Sequence, residues 1–573
     1  MLRLQRVLLA LLLVTTVNVR AAEIDVPEHS MSIQAAIDAA SVGDVIIVSP
    51  GTYREDIRIR GKAVTLTSLN PADPAVVEKT IIRGSVRIDS AATGTPVLAG
   101  FTIDGGYGPG GIRCYGSSPI ILRNRIVNVN NAYSAALHCD CPQGAVIENS
   151  VIGCVGDELS GGIWCEGGSG LVVSGNLVVS TIVRGYSGGG GIVCWEGSPT
   201  IVGNTITGTY VNCFGGGIWC TESQPLVSGN VVSSNVAHDH GGGGIFCSDS
   251  APLIEGNVIT GNASAGGGGI CVTGESRSGS SPSIAKNTIV GNLADLGGAV
   301  YSFSAKLSLV ANVIGANNAT ESGGGIHSGG EHAELVNNLI VDNVARWGNG
   351  GGMSFTNADI LMVNNTIVGN KALNGLGGGA YLTGGASAEM WNCILDANEA
   401  GVGRQVALEA DQWGAGTLTY SFTMIRGGTP SIWRASGEPG CVVTEGPGNK
   451  DADPLLAAPT DWWGGDYRLL PGSPCIDAGS NAAPGLPDRD LAGVARVIDG
   501  NLDGTATVDM GAYEHVPGDV NGDGKVGILD LLVIRNNFTY GLATASSERK
   551  CDLNADGRVD VQDLLIARNL LLR

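Results

Sequence analysis

The chain has 573 residues and a formal net charge of -21, and 90 of its residues are glycine while only 5% are aromatic. The acidic balance excludes nucleic acid and anionic membranes as partners, because both are held by basic patches. Glycine at this density, without a collagen period, points to a repeat architecture rather than an ordinary globule.

Residues 1–21 carry Arg3 and Arg6, an apolar run from Val7 to Val14 and the small-residue site Val19-Arg20-Ala21, which predicts a secretory signal peptide and an extracellular or cell-surface location. No later segment has the apolar span of a transmembrane helix. Residues 22–110 are expected to form a cap and the first rungs. Within them, Ile33-Gln34-Ala35-Ala36-Ile37 reads as an amphipathic helix, and Asp44 to Val48 followed by Gly51-Thr52-Tyr53 as strands. This stretch resembles the N-terminal cap of pectin-lyase-like β-helices, where such a helix covers the open edge of the first rung.

From residue 111 to about 400 two markers keep step. Glycine tracts deliver an apolar residue at Ile112, Leu137, Ile163, Ile192, Ile218, Ile245, Ile270, Val300, Ile326, Met353 and Ala380, and asparagines recur at Asn124, Asn149, Asn176, Asn204, Asn230, Asn257, Asn287, Asn312, Asn338, Asn365 and Asn392. A repeat of this length with short β-branched strands and no helical period predicts an all-β fold, a right-handed parallel β-helix solenoid of about 11–13 rungs. Asparagine at a fixed corner stacks its amides in a ladder, and glycine supplies left-handed corners. The later Ile-x-x-Asn pattern, at Asn262, Asn292, Asn343 and Asn370, resembles the repeats of polymorphic outer-membrane proteins, which are surface adhesins.

Cys114, Cys139, Cys165, Cys194, Cys220 and Cys247 each follow their rung's apolar marker by two residues, so strand alternation turns them inward as one column. A plain core column, vertical disulfides and a soft-metal site all fit that spacing. The residues between marker and cysteine point outward. Trp164, Trp219 and Phe246, with Trp195 one register further, are therefore candidates for stacking on sugar rings, unless a loop or the region 400–515 covers them.

Polysaccharide lyases and polygalacturonases on this fold cluster acids on neighbouring rungs with a basic residue nearby. No Asp-Asp pair occurs here, and the Asn-Thr-Ile triplets at 204, 287 and 365 end in Ile where polygalacturonases place Asp. The remaining catalytic candidates are an acid stripe through Glu166, Glu196 and Glu222, and the turn His238-Asp239-His240, each equally readable as solvated surface. Two functions stay open. One is a polysaccharide-degrading enzyme, either a hydrolase of O-glycosyl bonds or a lyase; the other is a non-catalytic adhesin or carbohydrate-binding rod.

Residues 401–515 lose the rhythm and read as an irregular β region. Pro471-Gly472-Ser473-Pro474-Cys475-Ile476-Asp477 and Asp509-Met510-Gly511-Ala512-Tyr513-Glu514 resemble the anchor-type region that follows bacterial β-helices. Asp499, Asn501, Asp503 and Gly504 form half a calcium loop, with Asp509 at position 11 instead of 12. Residues 516–573 then carry two full loops. Asp519, Asn521, Asp523, Lys525 (through its carbonyl) and Asp530 occupy ligand positions in the first; Asp552, Asn554, Asp556, Arg558 (carbonyl), Asp560 and Asp563 do so in the second. Paired loop-helix units of this kind resemble a dockerin, an EF-hand-like α-helical calcium module. The resemblance implies two calcium ions and a cohesin-bearing scaffold or cell-surface protein as partner, alongside the polysaccharide. Positions 10 and 11, small hydroxyl residues in many cohesin-binding dockerins, are here Ile528-Leu529 and Val561-Gln562.

Overall fold

Short runs of alternating apolar residues between glycine and asparagine corners cannot bury their inner side chains alone, so successive turns stack them. The computed structural model describes residues 21–572 apart from 90–93, 107–109, 132–134, 157–160, 186–187, 240, 275–279, 331, 437–439, 459–464, 540–541 and 544. The signal-peptide segment, except Ala21, and His240 lie outside the described residues.

One turn shows the plan: Ile163–Glu166 on a first face, Gly170–Ser174 on a second, Leu177–Val179 on a third and Ile182–Val183 on a narrow fourth. Parallel pairing carries each strand to its counterpart one turn on, as Ile163 with Ile192 and Val178 with Ile206. The first and third faces hold 15 strands each, the second 17 and the fourth 11. The solenoid therefore has more turns than the sequence markers predict, because it starts before the first glycine tract and runs past residue 401. Val406 pairs with Ala380 and Ile432 with Val406, so two strands of the first face lie in the segment expected to be irregular.

Inside, like residues stack in columns. Ile163, Ile192, Ile218 and Ile245 form one and Val178, Ile206, Val232 and Ile259 another, all fully buried. Each such side chain contributes about 1.5–3 kcal/mol of burial. At the N-terminus the helix Ile33–Ala39 buries Ile33, Ala36 and Ile37 in the same core. Its first amides donate to Glu55, Ile33 N–H at 2.9 Å and Gln34 N–H at 3.0 Å, and its last turn lies under the Lys62 ammonium.

Two asparagine ladders run up the corners. Asn230 donates both its backbone N–H (2.9 Å) and its amide Nδ2 (3.0 Å) to Asn257 Oδ1, whose own Nδ2 donates to Asn287 Oδ1 at 2.9 Å and Val227 O at 2.9 Å. The first ladder passes from Asn124 to Asn365, and there the marker Asn392 proves to be out of register. The residue in register is Cys393, followed by Thr423 and Asn449. A second ladder links Asn235, Asn262, Asn292, Asn317, Asn343, Asn370 and Asn398. Asn257→Ala is expected to cost about 2–4 kcal/mol, because it leaves buried donors of Asn230 and the Val227 carbonyl unpaired. A urea midpoint unchanged by this substitution would contradict the ladder's role.

Asn392, with Asn337 and Asn364, faces the region 470–515 instead. Asn364 Nδ2 donates to Asp509 O and Gly511 O, and Ser480 N–H donates to Asn392 Oδ1. This region, with the preceding strands Leu456–Ala458 and Asp466–Leu469, lies against the outer side of the third face, where Leu339, Val341, Val368, Ile394 and Met424 pack with Leu456, Tyr467, Leu469, Cys475 and Met510. A buried ion pair, Arg496 to Glu514 at 2.7 Å, anchors it, with Arg496 also reaching Asn337 Oδ1. Burial raises Glu514 to about 7 despite Arg496. A carboxyl higher in the fold than its ordinary 4.5 binds more protons folded than unfolded, so its contribution is full below that value and lost as pH rises through about 7. Stability is thus expected to fall by about 1–3 kcal/mol between pH 5 and 8, and Glu514→Gln to flatten that slope in denaturant titrations.

Candidate active site and calcium loops

All 14 cysteines are buried and outside any disulfide. Cys114, Cys139, Cys165, Cys194, Cys220 and Cys247 are in register as one inward column, succeeded by Val272, Ser302 and Ser328. Cys114, Cys139 and Cys141 bring their sulfurs within 4.8 Å of one another. Burial pushes the Cys165 and Cys271 thiols up, which favours the protonated form of a small core hydrophobe.

The outward tryptophans are not a solvent surface. Trp164, Trp219 and Phe246 are buried in a cluster with Ala135, Val193 and Cys271, packed against Trp195, Phe214 and Tyr301; of the four expected stacking residues only Trp195 stays partly open. Several glycine tracts fold back over the residue that follows their own apolar marker, as Gly189 does over Val193 and Gly215 over Trp219. At Gly267 (φ +64°) an added Cβ would meet Ile270 O at 2.2 Å and Cys271 Cα at 2.9 Å, so no side chain fits there. No described residue of the region 400–515 belongs to this cluster, and residues 470–515 lie on the third face.

The acid stripe also changes. Glu166 ends its strand in register with Trp195 and Thr221, whereas Glu196 and Glu222 come one residue later, in left-handed turns at φ +51° and +48° with exposed side chains. His238 and Asp239 form a solvated turn, 70% and 48% exposed, with Nδ1 and Oδ1 3.6 Å apart.

What the structure brings together is a different set at the N-terminal end of the first face. Arg58, Arg87, Arg113, His138 and Trp164 stand in one outward column, and Asp89, Tyr115, Asp140 and Glu166 in the next. Arg58 Nη2 and Arg87 Nε share Asp89, each at 2.7 Å. The Arg87 guanidinium lies 4.9 Å from the Tyr115 ring centre, and Tyr115 lies 5.5 Å from the His138 ring. Glu166 Oε2 is 3.3 Å from both His138 Nε2 and Trp164 Nε1. Arg113 Nε and Nη2 are buried without a hydrogen-bond partner. Burial holds His138 below its ordinary 6.5, with Glu166 pulling the other way, so the imidazole is neutral at neutral pH. Arg58 and Arg87 escape a reading of the glycine tracts because their rungs precede the first tract; the signal was the apolar-Arg-apolar pattern of Ile57-Arg58-Ile59 and Val86-Arg87-Ile88.

Away from this stripe, a cavity of about 1110 Å³ opens at the last turn, lined by Asp396, Trp433 and Arg549 among others. Arg426 already joins its acids, at 3.7 Å to Asp396 and 2.9 Å to Asp453.

In the C-terminal module, helices Ile528–Asn536 and Val561–Leu571 each follow a loop whose position-12 carboxylate is fully buried. Val520 N–H and Asn521 N–H both donate to Asp530 Oδ1 at 3.0 Å, and Asp523 N–H to Asp519 Oδ1 at 3.1 Å and to Asn521 Oδ1 at 2.8 Å. The second loop repeats this with Asp563, Asp552 and Asn554. Burial raises Asp519 and Asp552, and Asp530 and Asp563 beside them add to it. Carboxylates converging this way, with no basic side chain bonded to them, fit a divalent cation. The loop 499–505 has the same bonds, from Asp503 N–H to Asp499 and Asn501 and from Gly504 N–H to Asp499. Asp509 does not complete it, because its carboxylate accepts the Asp477 and His515 amides. Asp477 takes the position-12 part, accepting Gly500 N–H at 3.1 Å and Asn501 N–H at 2.6 Å. The module is fixed to the rest of the chain where Asp466 binds Arg468 and Lys550, which outweigh burial and bring its carboxyl to about 2.

These features define a parallel β-helix carrying a small module of paired loop-helix units, and sequence families agree on both parts. The right handed beta helix region matches residues 180–294, and the dockerin type I domain matches residues 517–572. The chain is a right-handed parallel β-helix solenoid followed by a dockerin type I domain. Among curated proteins, none matches it. Similar solved structures include the catalytic unit of a thermostable GH87 alpha-1,3-glucanase from Streptomyces thermodiastaticus strain HF3-3, 15% identical with a TM-score of 0.32 over 76% of this chain and 70% of that one. The periplasmic alginate epimerase AlgG is 14% identical with a TM-score of 0.31 over 71% and 84%. The siphovirus 9NA tailspike receptor binding domain is 11% identical with a TM-score of 0.27 over 79% and 78%. Likeness at this level says nothing of the chemistry. Among the described residues no helix is long and apolar enough to cross a membrane.

Proposed function

We propose that the solenoid binds and cleaves a uronate-containing polysaccharide outside the cell, while the dockerin tethers it to a cohesin-bearing scaffold or a cell-surface protein. The observation that carries this reading is Arg113, a cation without a hydrogen-bond partner at Nε and Nη2, next to a neutral His138 on an otherwise acidic chain. Arg113 would hold the uronate carboxylate through Nη1, the one guanidinium nitrogen that is not among the buried ones. His138 would take the proton from the ring carbon beside that carboxylate, a carbon-carbon double bond forming as the glycosidic carbon-oxygen bond breaks. Tyr115 would return a proton to the departing oxygen. Hydrolysis is less well supported, because Glu166 is engaged by His138 and Trp164.

A non-catalytic carbohydrate-binding rod is the second reading, favoured by Asp89, which already neutralises Arg58 and Arg87. Assays over acidic and neutral polysaccharides separate the two. New reducing ends together with ultraviolet absorbance of a conjugated product support a lyase. Retention on the polymer with neither signal supports the rod.

Calcium is assigned to both dockerin loops, and a third ion to Asp499, Asn501 and Asp503 with Asp477. On the dockerin, Ile528, Leu529 and Val561 are exposed at the positions a partner would read. Their apolar character predicts a partner with an apolar contact surface in place of one selecting hydroxyl residues.

A further inference from the structure

Among the described residues the solenoid is parallel throughout except for one hairpin, Ala410–Asp411 with Gly414–Ala415. Its tip carries Trp413, which is 74% exposed. The tip is built to be rigid. Asp411 Oδ1 accepts the amides of Trp413 (2.7 Å) and Gly414 (3.2 Å), and Asp411 Oδ2 accepts the Thr383 hydroxyl at 3.4 Å. The hairpin also sits close to the turn beneath it, since a Cβ on Gly414 would stand 2.9 Å from Gly385 Cα.

Trp413 borders a groove of about 530 Å³ whose other wall is Phe303, 54% exposed, with Gly329, Gly330, Thr356 and Asn357 along it. Phe303, Gly329 and Thr356 are successive members of one outward column. Glycine at 329 leaves the Phe303 ring open, because a Cβ there would already touch it at 3.5 Å. None of the described residues lining the groove is charged, so phosphate and other small anions have no anchor in it.

Two aromatic faces held open to water on rigid supports, with hydroxyl and amide groups between them, are the chemistry that recognises a pyranose ring. The column is the one that contains Tyr115, seven turns earlier, and Glu166, five turns earlier. At the spacing of paired strands these are roughly 34 Å and 24 Å, so one extended glycan chain lying on the first face reaches both. We infer that the Phe303–Trp413 groove is a sugar-stacking subsite that holds the polysaccharide at a distance from the Arg113–His138 stripe. This rests on the polysaccharide reading above and adds a second point of contact to it.

The test is affinity electrophoresis of the full chain through gels containing polyuronate, neutral glucan or xylan. Trp413→Ala and Phe303→Ala are expected to weaken retardation at least about tenfold with unchanged thermal midpoints. Trp347→Ala, which removes an equally exposed tryptophan outside the groove, should not. If the parent and Trp413→Ala are retarded equally while Arg113→Ala is released, the subsite is wrong and the polysaccharide reading stands. If no gel retards the parent, both are overturned.

Discussion

His138→Ala is expected to lower turnover on a uronate polymer by about 10²–10⁴-fold, the usual contribution of a positioned general base, while leaving affinity for the polymer nearly intact. Arg113→Ala should act differently. It removes the group that would neutralise the uronate carboxylate both in the bound state and as charge builds on the ring, so KM rises and kcat falls together. The pH dependence carries the sign of the His138 environment. Burial lowers its pKa, so the neutral base persists to a lower pH than a free imidazole, and the acid limb of kcat/KM should fall below pH 6.5. Glu166→Gln removes the charge that opposes this and should move the limb lower still. A stability check is built in, because His138 is packed among rings and its loss costs only about 1 kcal/mol of contacts. Full turnover by His138→Ala would end its assignment as base, whatever the binding data show.

The solenoid was legible because it repeats. Two phase-locked markers disclosed the rung, and strand alternation correctly turned the six cysteines inward. Alternation gives the side of a sheet, though, and not its exposure. Trp164, Trp219 and Phe246 point outward yet are buried, because glycines fold over Trp219 and the rings of Trp195, Trp219 and Phe214 cover the other two. A glycine's own conformation decides the first of these, and it leaves no apolar signature. Register also failed where markers double. Asn337-Asn338 and Asn364-Asn365 each supply one ladder residue and one outward residue, so in the next turn Asn392 looked like the ladder member when Cys393 was. The basic stripe was missed at Arg58 and Arg87 because nothing in those rungs resembles a glycine tract. Asp477 was missed because it completes its loop from 22 positions before Asp499, a distance that no local motif spans.

Chelating calcium is expected to melt the dockerin and leave the rod standing. Asp530 and Asp563 are fully buried, each facing the first acid of its own loop, and without a cation those converging charges repel. The hydrophobic centre of the module is small, Val520, Ile534, Cys551, Val559 and Ala567, so ion binding has to supply much of its folding energy. The solenoid's stability comes from neighbouring turns and does not pass through these loops. Circular dichroism in chelator should therefore lose helical signal in a separate, low-temperature step while the β signal keeps its midpoint. Native mass spectrometry of the intact chain should count three ions. Asp563→Ala should remove one and weaken that site by about two orders of magnitude. Asp477→Ala should remove a different one, with the dockerin helices unaffected. A count of two in the parent chain would refute the Asp477 site alone, whereas helices that survive chelation would refute calcium as the element that folds the module.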